Sequence, residues 1–416
     1  MRVFIQTFGC RANHYDSEMA RAMLERSGHV IVGDAAEADV ALFNSCAVTR
    51  EAEADLRAAV RRASRAQPHI RSVIMGCAAG LAAERGDASL AALPSVEEIV
   101  PGADAQALAR ALDLPNDSVI ARAASQTSAR ALLRVQDGCD EHCTFCATTL
   151  ARGANRSRSV DALVDEARQL ATHHEEIVIT GIHIGSYGAD IGSSLSALVE
   201  RLVRDVPRVR FRLSSLEATE IDERLFALLV GDPGRVAPHL HAPLQSGSNA
   251  VLKRMGRHWY TAESYAQVVE RIASARRVFG LGADIIVGFP GETDLDHERT
   301  VALVEWLPFT YLHVFPFSAR PGTAAERLGP SVPPAVARGR ARELRELGTR
   351  KAAAYRASRA GSTAEVIVVR GGAVDEREGV TEDYLSVLPG AASLPRGTRY
   401  LARLRSVESR LIAEPV

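Results

Sequence analysis

Six cysteines carry the first chemical signal in this chain, and they fall into two groups of three. Cys139, Cys143 and Cys146 stand in GCDEHCTFC, a C-x3-C-x2-C spacing on one short loop. Three thiolates on one loop can hold three irons of a four-iron cluster and leave the fourth iron open to a cofactor or substrate. A structural zinc ion takes four ligands. Here the fourth would have to be His142 or a distant residue, so iron–sulfur chemistry is the favoured reading. Cys10, Cys46 and Cys77 are far apart in the chain, yet each follows the end of an expected strand, two of them directly behind Gly9 and Gly76. In an open α/β sheet such ends converge on one edge, where ligands bind. These three thiols are therefore expected to meet as a second ligand set rather than to serve as small buried residues.

The elements that must position these groups can be read from periodicity and turn residues. A chain of 416 residues suits about two to four domains, and 46% apolar residues can fill several cores. In the first third, strands are expected at 2–6, 39–43 and 72–75, with helices at 16–27 and 50–66 between them. This reads as a Rossmann-like parallel α/β domain over residues 1–120. Loss of periodicity among Pro, Asn, Asp and Ser makes 113–130 a linker. A second series of strands, at 131–135, 176–180, 209–213, 238–241, 283–287 and 311–316, alternates with helices. It suits a partial (β/α)6 barrel over 128–358 better than an open doubly wound sheet. A helical pattern at 334–357 follows a Pro-rich start. After Gly361, short alternating runs between GG, PG and RG turns give a small antiparallel β domain, 359–416.

Composition narrows the function classes. Lys and Arg number 50 against 51 Asp and Glu, a net charge of −1, so any nucleic-acid surface must be local. Lys253 and Lys351 are the only lysines, a bias read as GC-rich coding rather than as selection for phosphate contacts. Six cysteines in so long a chain are too few for a disulfide scaffold. No run approaches the roughly 18 apolar residues of a membrane helix, and the N-terminal apolar run is too short for a signal peptide. A cytoplasmic protein with no membrane partner is expected.

Phe145 makes the second trio C-x3-C-x-aromatic-C, which after the first strand of a partial barrel resembles the radical S-adenosylmethionine (SAM) superfamily. The surrounding blocks narrow the resemblance. QTFGC at 6–10, NSCAVT at 44–49, GC at 76–77, QDGC at 136–139 and ARGANRSRS at 151–159 are similar to the methylthiotransferase family. So are TGIHIGSYG at 180–188, LSSLE at 213–217, PLQSGSNAVLKRM at 243–255 and DIIVGFPGET at 284–293, all in the family's order. NSCAVT and HIGSYG look most like the branch that methylthiolates threonylcarbamoyladenosine (t6A) at tRNA position 37. Sister branches act on isopentenyladenosine in tRNA and on an aspartate of a ribosomal protein; a non-catalytic iron–sulfur RNA-binding protein is the distant alternative. The chain departs from the family pattern twice: ATTLARG at 147–153 lacks the usual Ile-Ile-Pro-Tyr before ARG, and Gly80 stands where Gln is usual.

The resemblance implies a division of labour. Cys139, Cys143 and Cys146 would hold a 4Fe–4S cluster that binds SAM at its open iron and yields a radical able to take hydrogen from C2 of adenosine. Cys10, Cys46 and Cys77 would hold a second 4Fe–4S cluster carrying sulfur, which a second SAM methylates in each turnover. Beside Phe145, the SAM contacts implied are Gly181, Ser215, Glu217, Gln245 and Asp284 at strand ends on the barrel mouth. For Glu217 the competing reading is a carboxylate paired with a nearby Arg, and His183, His239, His241 and His313 are read as packing or capping groups. The C-terminal domain is implied to be the RNA-binding β domain called TRAM. Implied partners are the tRNA anticodon stem-loop, an electron donor such as flavodoxin or ferredoxin, and a sulfur source. The local cations for tRNA are eight Lys/Arg against Glu343 and Glu346 between Arg338 and Arg359, and five Arg against Glu408 between Arg396 and Arg410. Arg152, Arg156 and Arg158, beside the SAM cluster, are candidates for the anticodon loop.

Overall fold

The computed structural model describes residues 1–47, 50–115, 118, 126–372, 376–390 and 394–416, so half of the expected linker at 113–130 lies outside the described residues. Five short strands open the chain: β1 (Arg2–Thr7), β2 (Val30–Val32), β3 (Val40–Ser45), β4 (Arg71–Gly76) and β5 (Val96–Pro101). They pair in the order β2-β1-β3-β4-β5, all parallel. On one face Val3, Leu42 and Val73 pack with Met23 and Leu24 of helix Arg11–Arg26 and Leu108 of helix Ala105–Ala111. On the other, Phe43 and Ile74 pack with Leu56 and Val60 of helix Arg50–Ala66 and Leu81 of helix Cys77–Arg85. The chain leaves β1 towards β2 and returns to β3 on the other side of β1, so the crossovers part between β1 and β3 and a crevice opens at their carboxyl ends. The sequence reading lacked β2 and β5 and began the first helix at 16 rather than Arg11. β2 is only three residues long, and β5 interrupts its apolar residues with Glu97 and Glu98, as an edge strand does.

The middle of the chain contributes β6 (Ala131–Arg134), a ribbon of β7 (Gln136–Asp137) and β8 (Arg156–Ser157), then β9 (Glu176–Thr180), β10 (Arg210–Leu213), β11 (His239–His241), β12 (Gly280–Val287) and β13 (Tyr311–Pro316). β6, β9 and β10 pair in parallel, as do β11, β12 and β13. Parallel bridges from Phe211 to Val236 and from Ser215 to His241 join the two sets. Six parallel strands thus form the open barrel that the strand spacing predicts, around one core that runs from Leu133 through Phe211 and Ile285 to Leu344.

Helix Pro334–Arg359 has proline in its first turn, where no intrahelical N–H is needed. It leads into a closed barrel of β14 (Thr363–Arg370), β15 (Glu378–Thr381), β16 (Ser386–Pro389), β17 (Arg399–Val407) and β18 (Arg410–Pro415), ordered β14-β15-β16-β18-β17. The expected antiparallel domain contains one parallel pair, β16 with β18, because closure must give the free edge of β16 a partner.

Buried charge ties this domain to the large barrel. Glu176 on β9 pairs with Arg210 at 2.7 Å and Arg212 at 2.8 Å on β10, and all three side chains are 0% exposed. Arg212 also donates to the carbonyl oxygens of Thr381 and Glu382, at 3.1 and 3.0 Å. Burial pushes the Glu176 carboxyl up, but the two guanidiniums prevail and hold it well below the usual range. Its contribution to stability is therefore full above the unfolded value of about 4.3 and is lost as pH falls below it. Glu176→Gln leaves two buried guanidiniums poorly paired and costs about 3–5 kcal/mol, read at pH 7 as a lower urea midpoint. The gap to the parent protein narrows as pH drops below about 4; a gap independent of pH would contradict the assignment.

Candidate functional site

The crevice between β1 and β3 receives the first three thiols. Cys10 caps helix Arg11–Arg26 with extended backbone and no side-chain bond to the helix backbone, Cys46 directly follows β3, and Cys77 begins the helix after β4. Cys46 and Cys77 are buried, Cys10 is exposed, and none of the six cysteines is in a disulfide. The sulfurs share one space. Asn13 Oδ1 lies 3.9 Å from Cys10 Sγ and 3.8 Å from Cys77 Sγ, while its Nδ2 donates to the carbonyls of Phe8 and Ser45 and so clamps both loops. Gly9 has φ 100°, and a Cβ there would sit 2.8 Å from Cys46 Sγ, so any side chain would intrude on the ligand. Two helix N-termini border the site, and their partial positive charge favours thiolates.

The second three lie on the loop between β7 and β8. Gln136, buried in β7, donates Nε2 to Gly138 O at 2.6 Å and Asn155 Oδ1 at 2.7 Å, at the two ends of that loop. Its Oε1 accepts from the backbone N–H groups of Ile182 and His183, at 3.0 and 2.9 Å. Gly181 is where the chain passes Gln136, whose carbonyl oxygen would lie 2.9 Å from a Cβ. Cys139 Sγ faces His183 Nδ1 at 3.8 Å, and Cys143 Sγ faces Arg257 Nη1 at 3.6 Å. His183, read as a packing group, also pairs with Glu220 at 2.8 Å. Burial lowers its pKa, but the contacts with Cys139 and Glu220 outweigh that and raise it to about 10.

Neither trio closes on a single ion. A zinc–thiolate bond of about 2.3 Å brings sulfurs within roughly 4 Å of one another. Among the described residues, the only three His, Cys, Asp or Glu with ligand atoms all within 4.8 Å are His241, Asp284 and His313. Neither cysteine trio meets that limit, and His142 between Cys139 and Cys143 is exposed.

A cavity of about 940 Å³ joins the two sites, with Cys77 and Cys146 both in its wall. Phe145, Gln245 and Asp284 line it, as the sequence reading expects of residues at the barrel mouth; Gly181, Ser215 and Glu217 are not part of its wall. Phe145 packs edge-on against Phe289, ring centroids 6.4 Å apart. Gln245 continues the ladder between β11 and β12 through Asp284 O and Ile286 N, yet at φ 63°, with a buried Oε1 that has no hydrogen-bond partner. Strain of this kind persists where the fold needs a side chain aimed in one direction. Burial pushes the Asp284 carboxyl up, but hydrogen bonds from His241 at 3.1 Å and His313 at 3.2 Å hold it well below the usual range. Exposed Ser215 sits across from His241. Glu217 is ion-paired with Arg257, as its competing reading has it, but keeps a buried Oε2 without a partner.

The arginines expected at the anticodon loop need correction. The Arg152 side chain is 0% exposed and is held by Asp16, Asp137 and Cys77. Arg158 is bonded to Tyr15 and Glu166, which leaves Arg156, 60% exposed, as the member of this group that faces solvent. In the long helix Arg340 and Arg359 are likewise taken up by Glu292 and Asp383, whereas Arg338, Arg342 and Arg350 are exposed. Arg403 and Arg405 project from one outer face of β17. None of these pairings was visible in the sequence, because the partners lie on other elements.

The two departures from the family pattern meet in space. Within 147–153 the chain forms the short helix Thr148–Arg152, which packs on helix Cys77–Arg85, and a Cβ on Gly80 would clash with the carbonyl oxygen of Ala151. Gly80→Gln should therefore force backbone apart, cost about 1–3 kcal/mol and lower the melting temperature; an unchanged melting temperature would contradict this packing. Burial pushes the Cys77 thiol up to about 11 and the Cys143 thiol up to about 12, against the opposing pull of Arg152 and Arg257. In metal-free protein, iodoacetamide labelling of both should be slow at pH 8 and rise about tenfold per pH unit up to pH 10, because only the thiolate reacts. Peptide mass spectrometry reads this, and flat profiles would contradict it.

Comparison with known proteins agrees with this geometry. Residues 133–304 match the radical SAM superfamily, and residues 2–100 match the uncharacterized protein family UPF0004. The chain is 36% identical to the threonylcarbamoyladenosine tRNA methylthiotransferase MtaB of Thermotoga maritima, over 83% of this chain and 81% of that protein. It is 32% identical to the Aquifex aeolicus protein of the same name, over 93% and 96%. It is 31% identical to the tRNA-2-methylthio-N6-dimethylallyladenosine synthase of Erythrobacter litoralis, over 88% and 86%. Among solved structures, the radical SAM methyltransferase TsrM of Kitasatospora setae superposes with a TM-score of 0.56 at 14% identity, over 78% of this chain and 76% of that one, a likeness of fold. Since the similarity to these relatives runs through both the sheet that gathers the first three cysteines and the barrel that carries the other three, the protein belongs to the radical SAM methylthiotransferases, enzymes that work with SAM and an iron–sulfur cluster.

Proposed function

We propose that this protein inserts a methylthio group at C2 of t6A in the anticodon loop of tRNA, with one 4Fe–4S cluster on Cys139, Cys143 and Cys146 and a second on Cys10, Cys46 and Cys77. The observation that carries the reading is the single cavity with a cysteine of each trio in its wall. A base held there faces both sites, so hydrogen can leave and sulfur can arrive at one carbon without the base being released. A 4Fe–4S cluster on Cys139, Cys143 and Cys146 with SAM bound would supply radical chemistry able to break an aromatic C–H bond, which no acid or base in this cavity could do.

The chain's own part is placement. Gln245 Oε1, buried, without a partner and on the cavity wall, is an acceptor for an amine or hydroxyl group of SAM. Phe315 is 44% exposed on the cavity and offers a ring face to an unpaired base. The wall favours a carboxylated substituent on the base over a dimethylallyl one. Arg320 is 3% exposed, pairs with Glu53 and leaves Nε and Nη1 without hydrogen-bond partners, and exposed Arg338 stands on the same wall. Units 1–120, 128–358 and 359–416 then serve sulfur delivery, SAM chemistry and RNA binding. Arg342, Arg350 and Arg403 supply phosphate contacts, so binding weakens with salt. An electron donor and a sulfur source complete the system. Among the described residues no helix is long and apolar enough to cross a membrane; the proposed site of action is the cytoplasm, where tRNA is found.

The test is anaerobic reconstitution with iron and sulfide, addition of SAM, dithionite and tRNA bearing either t6A or isopentenyladenosine, and mass spectrometry of the digested tRNA. Methylthio-t6A is expected; product only with the isopentenyl tRNA overturns the acceptor, and absence of 5′-deoxyadenosine overturns the SAM site. Cys143→Ala should abolish SAM cleavage, whereas Cys46→Ala should retain cleavage and lose sulfur insertion. Equal loss of both activities in both folded variants would contradict the division of labour.

A further inference from the structure

Arg152 makes contacts that an ion pair alone does not explain. Its Nε–H is donated to Cys77 Sγ at 3.2 Å, its Nη2 to Asn13 Oδ1 at 2.7 Å and Asp16 Oδ2 at 2.9 Å, and its Nη1 to Asp137 Oδ1 at 3.2 Å. The residue ends helix Thr148–Arg152, which begins two positions after Cys146, and Asp137 stands two positions before Cys139. One guanidinium therefore reaches from both ends of the second cysteine loop to a sulfur of the first trio. At the second trio the corresponding guanidinium, Arg257, stands farther off, 3.6 Å from Cys143 Sγ.

A hydrogen bond and a positive charge on a ligand sulfur stabilise the reduced, more negative form of an iron–sulfur cluster and so raise its reduction potential. With the Arg152 side chain closed to water, solvent does not screen that influence. Asp16, itself held by Arg134 at 2.6 Å, and Asp137 offset part of it and fix the plane of the fork. We propose that Arg152 is a positioning residue for the cluster on Cys10, Cys46 and Cys77, raising its potential through the N–H···S bond to Cys77 and fixing its place relative to the Cys139–Cys146 loop. The inference rests on the two-cluster reading above.

The test uses the full-length protein with Cys139→Ala, Cys143→Ala and Cys146→Ala, reconstituted so that only the first trio can hold a cluster. Its midpoint is read by electron paramagnetic resonance during titration with dithionite and mediators. Arg152→Gln should shift the midpoint to more negative potential, Arg152→Lys should shift it less, and Asp16→Asn should shift it to more positive potential, because a counter-charge is removed. A purely structural role predicts no such opposition of sign. Unchanged midpoints in the Gln and Asn variants, with iron content intact, overturn the inference. Should the Gln variant lose its cluster, the Lys and Asn variants decide, and shifts of the same sign or none overturn it. Absence of any cluster in the triple-alanine parent overturns the two-cluster reading, and this inference with it.

Discussion

A desolvated lattice of charges between the first helix and the large barrel holds the two cysteine sites in one frame. Asp16 meets Arg134 at 2.6 Å and Arg152 at 2.9 Å, while Tyr15 bonds Glu166 at 3.0 Å and Arg158 at 2.9 Å, and Arg158 closes on Glu166 at 2.6 Å. Such pairs add little net stability, because desolvation costs about as much as the attraction returns. A misplaced docking, however, would strand a buried charge at about 3–5 kcal/mol. The lattice therefore acts mainly by excluding other arrangements of sheet on barrel. Because the cavity takes one wall from each, any such arrangement would separate Cys77 from Cys146.

The two sites are built by the same rule at different scales. In the sheet, parallel strands end together at the point where crossovers part, so loops far apart in sequence deliver Cys10, Cys46 and Cys77 to one crevice. In the barrel, parallel strands end on one mouth, where the cysteine loop, strained Gln245 and Asp284 converge. Gln245 Oε1 at that mouth is buried without a hydrogen-bond partner, which is costly unless a ligand pairs it. At the opposite end of the barrel, Glu176 is paired within the protein by Arg210 and Arg212.

Most strands were legible because burial on both faces demands a near-continuous apolar run, as in Val40–Phe43 of β3 and Ile177–Ile179 of β9. β2 and β5 were not, since an edge strand tolerates polar residues and short length. Among site residues, the glycines and glutamines of the motifs were legible by kind, and Gln245 and Asp284 landed on the cavity. Arg257, His183 and Arg152 escaped because an arginine or histidine in a list of motifs carries no mark of whether carboxylates or water will face it. Arg152, read as an RNA contact, finds Asp16 and Asn13 from 136 and 139 residues away.

What the sequence determined by itself is therefore local: the ligand types, the tight C-x3-C-x2-C loop and the order of strand and helix, all set by spacing within a few tens of residues. The tertiary structure alone decided which trio faces which, that both open on one cavity, and which cations are spent inside rather than left for RNA. The physical reason is range. Covalent spacing fixes neighbours along the chain, whereas charge pairing and desolvation depend on what another element brings to the same point, and only the folded packing sets that.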